Sequence, residues 1–311
     1  MNNPIKTFQP NLVGRDFVIG DLHGAYAVFE NLLKNINFDT KVDRMFSVGD
    51  LIDRGPDSLK CLELIEEPWF HSVLSNHEKM MIDFFDGEPS GWFWNQNGGC
   101  WARDAQVAHL ENTPAILQTD TVKRTLYLKE AARKLPFLIT VNLVNNEKVH
   151  IIHAEFPRIK SVDGFKGTEY ITDAMLADPQ IVKKIALHEN LDGEWLLWSR
   201  NIFCGLYRRK VTRDELIELY RHDTQRDAIF NGELSHVISG HTPLIKPITY
   251  VNQTNIDTNV IASLTNPSSD LEINPAGLTC LELNTWKFYL AKPDSFMEVE
   301  EILVKKSDFG N

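Results

Sequence analysis

Five short apolar runs in this 311-residue sequence each end in a side chain able to hold a metal ion. FVIGDLHG supplies Asp21 and His23, MFSVGDLIDRG supplies Asp50, and HSVLSNHE supplies Asn76. VHIIHAE supplies His153 and VISGHTP supplies His241. Three imidazoles, two carboxylates and one amide form a nitrogen and oxygen donor set without thiolate. Such a set suits divalent Mn, Fe or Zn better than a structural zinc site. Two cations about 3.5–4 Å apart need a carboxylate between them to damp their repulsion. Asp50 is central in the ligand order and is the candidate bridge. Asp21 and His23 can serve one ion from a tight loop, leaving Asn76, His153 and His241 for the second.

Such a pair lowers the pKa of bound water, so hydroxide is available near neutral pH to attack a phosphoryl group directly, with no phosphoenzyme. The phosphoryl oxygens call for planar cationic donors, and Arg54 in DRG and Arg200 in LLWSR offer guanidinium forks of that geometry. An alkoxide leaving group needs a proton. His77 directly follows Asn76 and is placed to supply it, with Asp53 orienting the imidazole.

These residues converge only if the chain builds a suitable scaffold. Helical periodicity follows each of the first three runs: Phe29, Leu32, Leu33 and Ile36; then Cys61, Leu62 and Ile65; then Met80, Met81, Phe84 and Phe85. Strand alternating with helix predicts βαβ units and a parallel sheet. In open α/β sheets the functional crevice lies beyond the carboxyl ends of the strands. Residues 121–135 read as a helix ending before Pro136, and FLITVNL turns through Asn145-Asn146 into KVHIIHA as a hairpin. Residues 212–230 read as helical, and SHVISGH, ITYVNQTNIDT, LTCLEL and WKFYLAK as strands. The acidic stretch from about 155 to 195 has weak periodicity and reads as a lid or peripheral insert. Without a linker or repeat, residues 1–311 read as one α/β domain with two sheets and helices outside.

Composition narrows the function classes. The chain carries 32 Lys+Arg against 43 Asp+Glu, a net charge of −11, which argues against a general nucleic-acid binder. No apolar run approaches the roughly 18 residues of a membrane span, and the N-terminus lacks the apolar core of a signal peptide. Cys61, Cys100, Cys204 and Cys280 are scattered without CxxC spacing, so neither a disulfide framework nor a thiolate metal site is expected. They read as buried small apolar residues. A cytoplasmic protein follows as the expectation.

The ordered motifs GDLHG (20–24), GDLIDRG (49–55), SNHE (75–78), HA (153–154) and GHTP (240–243) resemble those of the phosphoprotein phosphatase family of metallophosphatases. The likeness is strongest to the bacteriophage lambda-type and bacterial serine/threonine phosphatases, through DRGPDSLKCLELI, PWFHSVLSNHEKMMID, HAEFP and GHTP with its following NIDT. The resemblance implies a four-layer α/β/β/α sandwich with two central mixed sheets. It implies two divalent ions, Mn above all, with Asp21, His23 and Asp50 on one and Asp50, Asn76, His153 and His241 on the other. It implies His77 with Asp53 as the acid and its orienting carboxylate, and Arg54 and Arg200 as phosphate binders. The substrates implied are phosphoserine and phosphothreonine in proteins, with phosphotyrosine or a small phosphoester also open. Symmetrical cleavage of diadenosine tetraphosphate would use the same site. A non-catalytic metal scaffold would be marked by loss of Asp50, Asn76 or His77, and all three are present.

Two departures from the family pattern concern the backbone. Ser75 stands where the family has Gly before NHE, which is expected to constrain that turn. Asn259 replaces Gly in IDTG, and Asn tolerates left-handed backbone almost as well. The 155–195 segment is longer than in the lambda-type enzymes. The other histidines (His71, His109, His150, His188, His222, His236) read as structural or exposed, with His150 on the opposite sheet face from the site. GWFWNQNGGCW (91–101) reads as core packing plus a turn, with a substrate wall as the alternative. The basic run 207–213 reads as a solvated face that acidic phosphosubstrates could also meet.

Overall fold

The first three apolar runs become parallel strands, each followed by a helix. A computed structural model describes residues 3–156, 171–187, 196–200, 202–221, 232–266 and 275–309. Its elements are β1 (Ile5–Phe8), β2 (Asp16–Ile19), α1 (Tyr26–Asn35), β3 (Arg44–Ser47), α2 (Ser58–Glu63), β4 (Phe70–Ser72), α3 (Asn76–Asp86), α4 (Arg103–Leu110) and α5 (Asp120–Ala132). There follow β5 (Leu138–Asn142), β6 (Lys148–Ile151), α6 (Asp173–Leu176), α7 (Pro179–Leu187), α8 (Arg213–Arg221), β7 (His236–Ser239), β8 (Ile248–Tyr250) and β9 (Gln253–Asn255). The chain ends with α9 (Val260–Thr265), β10 (Leu278–Glu282), β11 (Lys287–Ala291), β12 (Phe296–Val299) and β13 (Ile302–Val304).

Two mixed sheets form. One has the order β1-β5-β6-β7-β9-β8-β13 and the other β12-β11-β10-β2-β3-β4. Within them β2-β3-β4 and β6-β7 are parallel, so their carboxyl ends can share a rim. The predicted hairpin is β5-β6, antiparallel, with Asn146 in left-handed backbone at its turn. Sequence periodicity did not reveal β1, β12 or β13. β1 and β12 are edge strands, and β1 is largely exposed (burial i-e-e-i), so neither carries the alternation of a half-buried strand.

Consecutive residues of one strand serve different layers. Val18 and Phe46 pack between the sheets with Ile139, Val141, Val149, Ile151 and Ile238. Their neighbours Phe17, Ile19 and Met45 face outward into the cluster with Phe29 and Leu32 of α1. Val237 and Ile152 share a cluster with Leu176, Val182 and Ile185 of α6 and α7. The period of two in strands buried on both faces therefore yields helix, sheet, sheet, helix. Each fully buried aliphatic or aromatic side chain contributes about 1.5–3 kcal/mol.

Part of the supposed insert is anchored on this scaffold. The expected lid over 155–195 lies partly outside the described residues (157–170 and 188–195), as do the 222–230 end of the predicted helix, His188 and His222. The described part is not peripheral: α6 docks on the sheet through His150, which points away from the inter-sheet core. His150 Nε2 meets Asp173 Oδ1 at 3.0 Å, and Lys148 Nζ meets Oδ2 at 2.8 Å. The Ser235 N–H and hydroxyl also donate to Asp173, at 2.8 and 2.7 Å. Burial pushes the Asp173 carboxyl up, but these four donors win and hold it well below the ordinary 3.8. Ionisation of Asp173 thus favours the folded state above pH about 4, and that contribution is lost as the pH falls below it. Asp173→Asn should destabilise the fold by about 2 kcal/mol at pH 7, with a smaller difference from the unmodified chain at pH 3.5. Urea midpoints at the two pH values check this; a difference that grows on acidification contradicts it.

Candidate metal centre and active site

The strand ends deliver the predicted residues to one rim. Asp21 and His23 follow β2, Asp50 follows β3, Asn76 starts α3 after β4, His153 follows β6 and His241 follows β7. All six are buried. The backbone here is unusual: His23, Asp50, Asp53, Arg54 and His241 all have positive φ, between 44° and 75°. Non-glycine residues in this region are held there by their surroundings, and such strain gathers at functional sites. Gly240 shows the crowding, since a Cβ there would lie 2.0 Å from Asp21 Oδ1.

Asp50 sits between two groups. Its Oδ2 lies 3.3 Å from His23 Nε2 and 3.8 Å from His77 Nε2, while its Oδ1 lies 3.5 Å from His153 Nε2. The potential ligand atoms of His23, Asp50 and His77 fall within 4.8 Å of one another, as do those of Asp50, His153 and His241. Asn76 Oδ1 adds to the second group, 2.6 Å from His153 Nε2. Asp21 does not join the tight first group. Its carboxylate accepts the His241 backbone N–H at 3.1 and 3.2 Å, and His77 completes the group with His23 and Asp50.

The hydrogen bonds settle which ring atoms carry lone pairs. His23 Nδ1 donates to the Ile52 carbonyl at 2.9 Å and His153 Nδ1 to the Val48 carbonyl at 2.8 Å, because a carbonyl can only accept. The Nε2 of His153 therefore turns a lone pair toward Asp50 and the Asn76 carbonyl, while that of His23 lies beside Asp50 and the Arg54 guanidinium. Lone pairs facing carboxylate and carbonyl oxygens call for a cation between them. His241 Nε2 is buried and has no hydrogen-bond partner among the described residues. This orphaned atom and the borderline nitrogen and hard oxygen donors fit a pair of divalent ions.

The electrostatics agree. Burial pulls the His23 imidazole down to about 3, and burial likewise lowers His153 and, strongly, His241, so all three are neutral donors. Burial, then Asp257 and Asp50, raises the Asp21 carboxyl well above its usual range. Burial opposes ionisation of Asp50, but the cationic groups around it, His77 foremost, hold it well below the usual carboxylate range. Buried carboxylates repelling one another beside neutral imidazoles are relieved by cations.

The remaining predicted residues are also placed here. His77 Nδ1 donates to Asp53 Oδ2 at 2.6 Å. Arg54 is exposed; its Nη1 donates to His23 Nε2 at 2.6 Å and its Nη2 to His77 Nε2 at 3.0 Å. Arg200 is exposed beside the rim, with Nη2 3.3 Å from the His241 carbonyl oxygen. Its guanidinium and that of Arg208 both stack on Tyr207, 5.9 and 5.1 Å from the ring centre, so the basic run adjoins Arg200.

Several buried residues that organise the site escaped the sequence reading. Glu78 accepts the Leu51 and Ile52 N–H groups at 3.0 and 3.3 Å and so shapes the loop of Asp50 and Asp53. Glu155 accepts the Phe203 N–H at 2.9 Å and that of Ile202, anchoring the segment after Arg200. Asp257, pushed up to about 6 by burial, stands in the NIDT segment. Each of these acids lies in a quoted motif, which was the only available signal. Ser75 does not constrain its turn, because its backbone is extended (φ −110°); instead its hydroxyl caps α3, accepting from the His77 and Glu78 N–H groups. Asn259 takes left-handed backbone, φ 59°.

The 91–101 stretch does more than pack. Trp94 is fully buried, and its indole and that of Trp101 donate to Asp53. Cys61 and Cys280 are buried as expected, but Cys100 is exposed because Trp101 turns inward and leaves its neighbour outside. The Cys204 side chain lies outside the described residues. His71 packs against Phe8 and Phe46, His109 against Phe85, and His236 bonds Thr254, all away from the centre. No helix among the described residues is long and apolar enough to cross a membrane.

Known proteins share this chain's pattern. Serine/threonine-protein phosphatase 1 of Salmonella typhimurium is 30% identical over 79% of this chain and 86% of that protein. Serine/threonine-protein phosphatase 2 of Escherichia coli is 34% identical over 57% of this chain and 72% of that protein. The symmetrical bis(5'-nucleosyl)-tetraphosphatase of Wigglesworthia glossinidia brevipalpis matches only 20% of this chain and 24% of that protein, at 48% identity. A solved cold-active protein-tyrosine phosphatase of a Shewanella species covers 95% of this chain and 82% of its own, at 17% identity and a TM-score of 0.49. The calcineurin-like phosphoesterase family matches residues 17–244. With that match spanning most of the chain and a rim of donors suited to divalent ions, this protein belongs to the calcineurin-like phosphoesterase family of metal-dependent hydrolases.

Proposed function

We propose that the protein is a protein phosphatase that hydrolyses phosphoserine and phosphothreonine, and also phosphotyrosine, in other proteins, with two Mn²⁺ ions. The observation that carries this reading is Asp50, whose two oxygens face two separate donor groups. Asp21, His23 and Asp50 hold one ion, and Asp50, Asn76, His153 and His241 the other. The bound ions supply Lewis acidity toward the phosphoryl oxygens and toward water. Arg54 and Arg200 bind and orient the phosphoryl group. Arg54 Nη2 and His77 Nε2 stand 3.0 Å apart, so the guanidinium and the acid reach the same phosphoryl group. As a water oxygen bonds to phosphorus and gives up a proton to solvent, the ester P–O bond breaks with its electron pair going to the seryl or threonyl oxygen, and His77 delivers its Nε2 proton to that oxygen. Asp53 holds the ring in place from the other side.

The two phosphatase relatives support a protein substrate over a dinucleotide, since the tetraphosphatase likeness is confined to a fifth of the chain. We further read residues 1–311 as one catalytic unit and place it in the cytoplasm, where the buried free thiols of Cys61 and Cys280 suit a reducing medium. Chelation should abolish hydrolysis of a phosphoserine peptide, and Mn²⁺ should restore it above Mg²⁺ or Ca²⁺. The same preparation should turn over diadenosine tetraphosphate at least about a hundredfold less efficiently by kcat/KM. Retained activity after complete metal removal, or a preference for the dinucleotide, contradicts the proposal.

A further inference from the structure

We infer that Trp94 and Trp101 are positioning residues for the acid, their indole N–H groups clamping the Asp53 carboxylate so that it presents one oxygen to His77. The inference rests on the proposed role of His77. Asp53 is fully buried, and its only described partner of opposite charge is His77. Trp101 Nε1 donates to Oδ1 at 2.7 Å, and Trp94 Nε1 bridges both oxygens at 3.1 and 3.0 Å. His77 Nδ1 takes Oδ2 at 2.6 Å. Between them, three ring N–H groups fix the carboxylate plane.

The choice of indoles has a chemical consequence. An indole N–H donates, never accepts and carries no charge, so it orients Asp53 without neutralising it as a lysine or arginine would. Its apolar body also keeps water from the carboxylate. The negative charge is left to act on one partner, His77.

The surrounding segment is built for this contact. Gly98 has φ 114°, and a Cβ there would sit 2.7 Å from Arg54 N and 3.1 Å from Asp53 Cβ. Only glycine lets the chain lie against the DRG turn. Trp94 packs on Phe84 and Phe85 of α3, with ring centres 5.7 and 5.8 Å apart, and α3 carries His77 in its first turn. Gln106 of α4 ties the two tryptophan turns together, donating to Asn95 Oδ1 at 2.9 Å and to the Gly99 carbonyl at 3.0 Å. The tryptophans, the carboxylate and the imidazole are therefore held in one frame.

Trp101→Phe keeps the ring and removes its donor, and Trp101 is only partly buried, so the fold should tolerate it. Two substrates separate positioning of the acid from general damage. Seryl phosphate leaves as a strongly basic alkoxide that needs a proton; p-nitrophenyl phosphate leaves as a weakly basic phenolate that does not. Trp101→Phe should lower kcat on a phosphoserine peptide about tenfold, change kcat on p-nitrophenyl phosphate less than about twofold, and leave KM for both within about twofold. Trp94→Phe should show the same selective loss. In a His77→Asn background Trp101→Phe should add almost nothing. Equal losses on both substrates, or full additivity with His77→Asn, would assign the tryptophans a packing role and overturn the inference. If His77→Asn impairs the peptide reaction and Trp101→Phe does not, the clamp alone fails. If His77→Asn spares the peptide reaction, the proposed acid fails and the clamp with it.

Discussion

Asp50→Asn should lower kcat on a phosphoserine peptide by a factor of about 10³ or more and leave the fold intact. A carboxylate can face two donor groups with equivalent oxygens, as Asp50 does toward His23 and toward His153. An amide of the same shape has one oxygen and one NH₂. The oxygen can still serve one group, but the NH₂ meets the lone pair of the other imidazole and cannot ligate. The bridging charge is lost as well, so two cations placed together would repel without relief. Metal analysis should therefore find about one firmly held ion per chain where the unmodified protein holds two. The backbone need not change, because the amide occupies the same space among residues held by strand ends and carbonyl contacts. An unaltered far-UV spectrum with lost activity is the expected pair of results. Two ions with near-normal kcat would remove Asp50 from its bridging role.

His77→Asn should cost about 10²–10⁴-fold in kcat on the same peptide with both ions retained. The imidazole is not among the six proposed ligands and its Nδ1 is engaged by Asp53, so metal content should separate this variant from Asp50→Asn. Burial disfavours the charged ring, yet Asp50 and Asp53 together raise its pKa above the ordinary 6.5, which keeps a transferable proton available near neutrality. Asparagine stays polar in the first turn of α3 but offers no acidic proton at the leaving oxygen. The loss should shrink on p-nitrophenyl phosphate, whose leaving group needs little protonation. A matching loss on both substrates would point to binding or metal retention. Full activity on the peptide would exclude His77 as the acid.

Much of this was legible in the linear sequence because the chemistry sits at strand ends. Each proposed ligand closes an apolar run, so the run predicts the buried strand and the terminal polar residue predicts the rim. The alternation of Phe17, Val18 and Ile19 between two packed layers follows from strand geometry alone. The order of motifs fixed the residue types of the centre and the parallel β2-β3-β4 core beneath it.

Tertiary structure decided what local pattern cannot encode. Whether Asp21 or His77 groups with His23 and Asp50 depends on the loop path after β2, where Asp21 turns to the His241 backbone across more than two hundred positions. The partners of Asp53 come from a stretch whose aromatic spacing has no helical or strand period, since it folds as successive tight turns. Glu78, Glu155 and Asp257 were visible as letters, but their work is to accept backbone N–H groups from distant loops or to add charge to a shared cavity. Such roles exist only once the strands are paired, because a side chain's partner across a sheet rim is set by three-dimensional register and not by its neighbours along the chain.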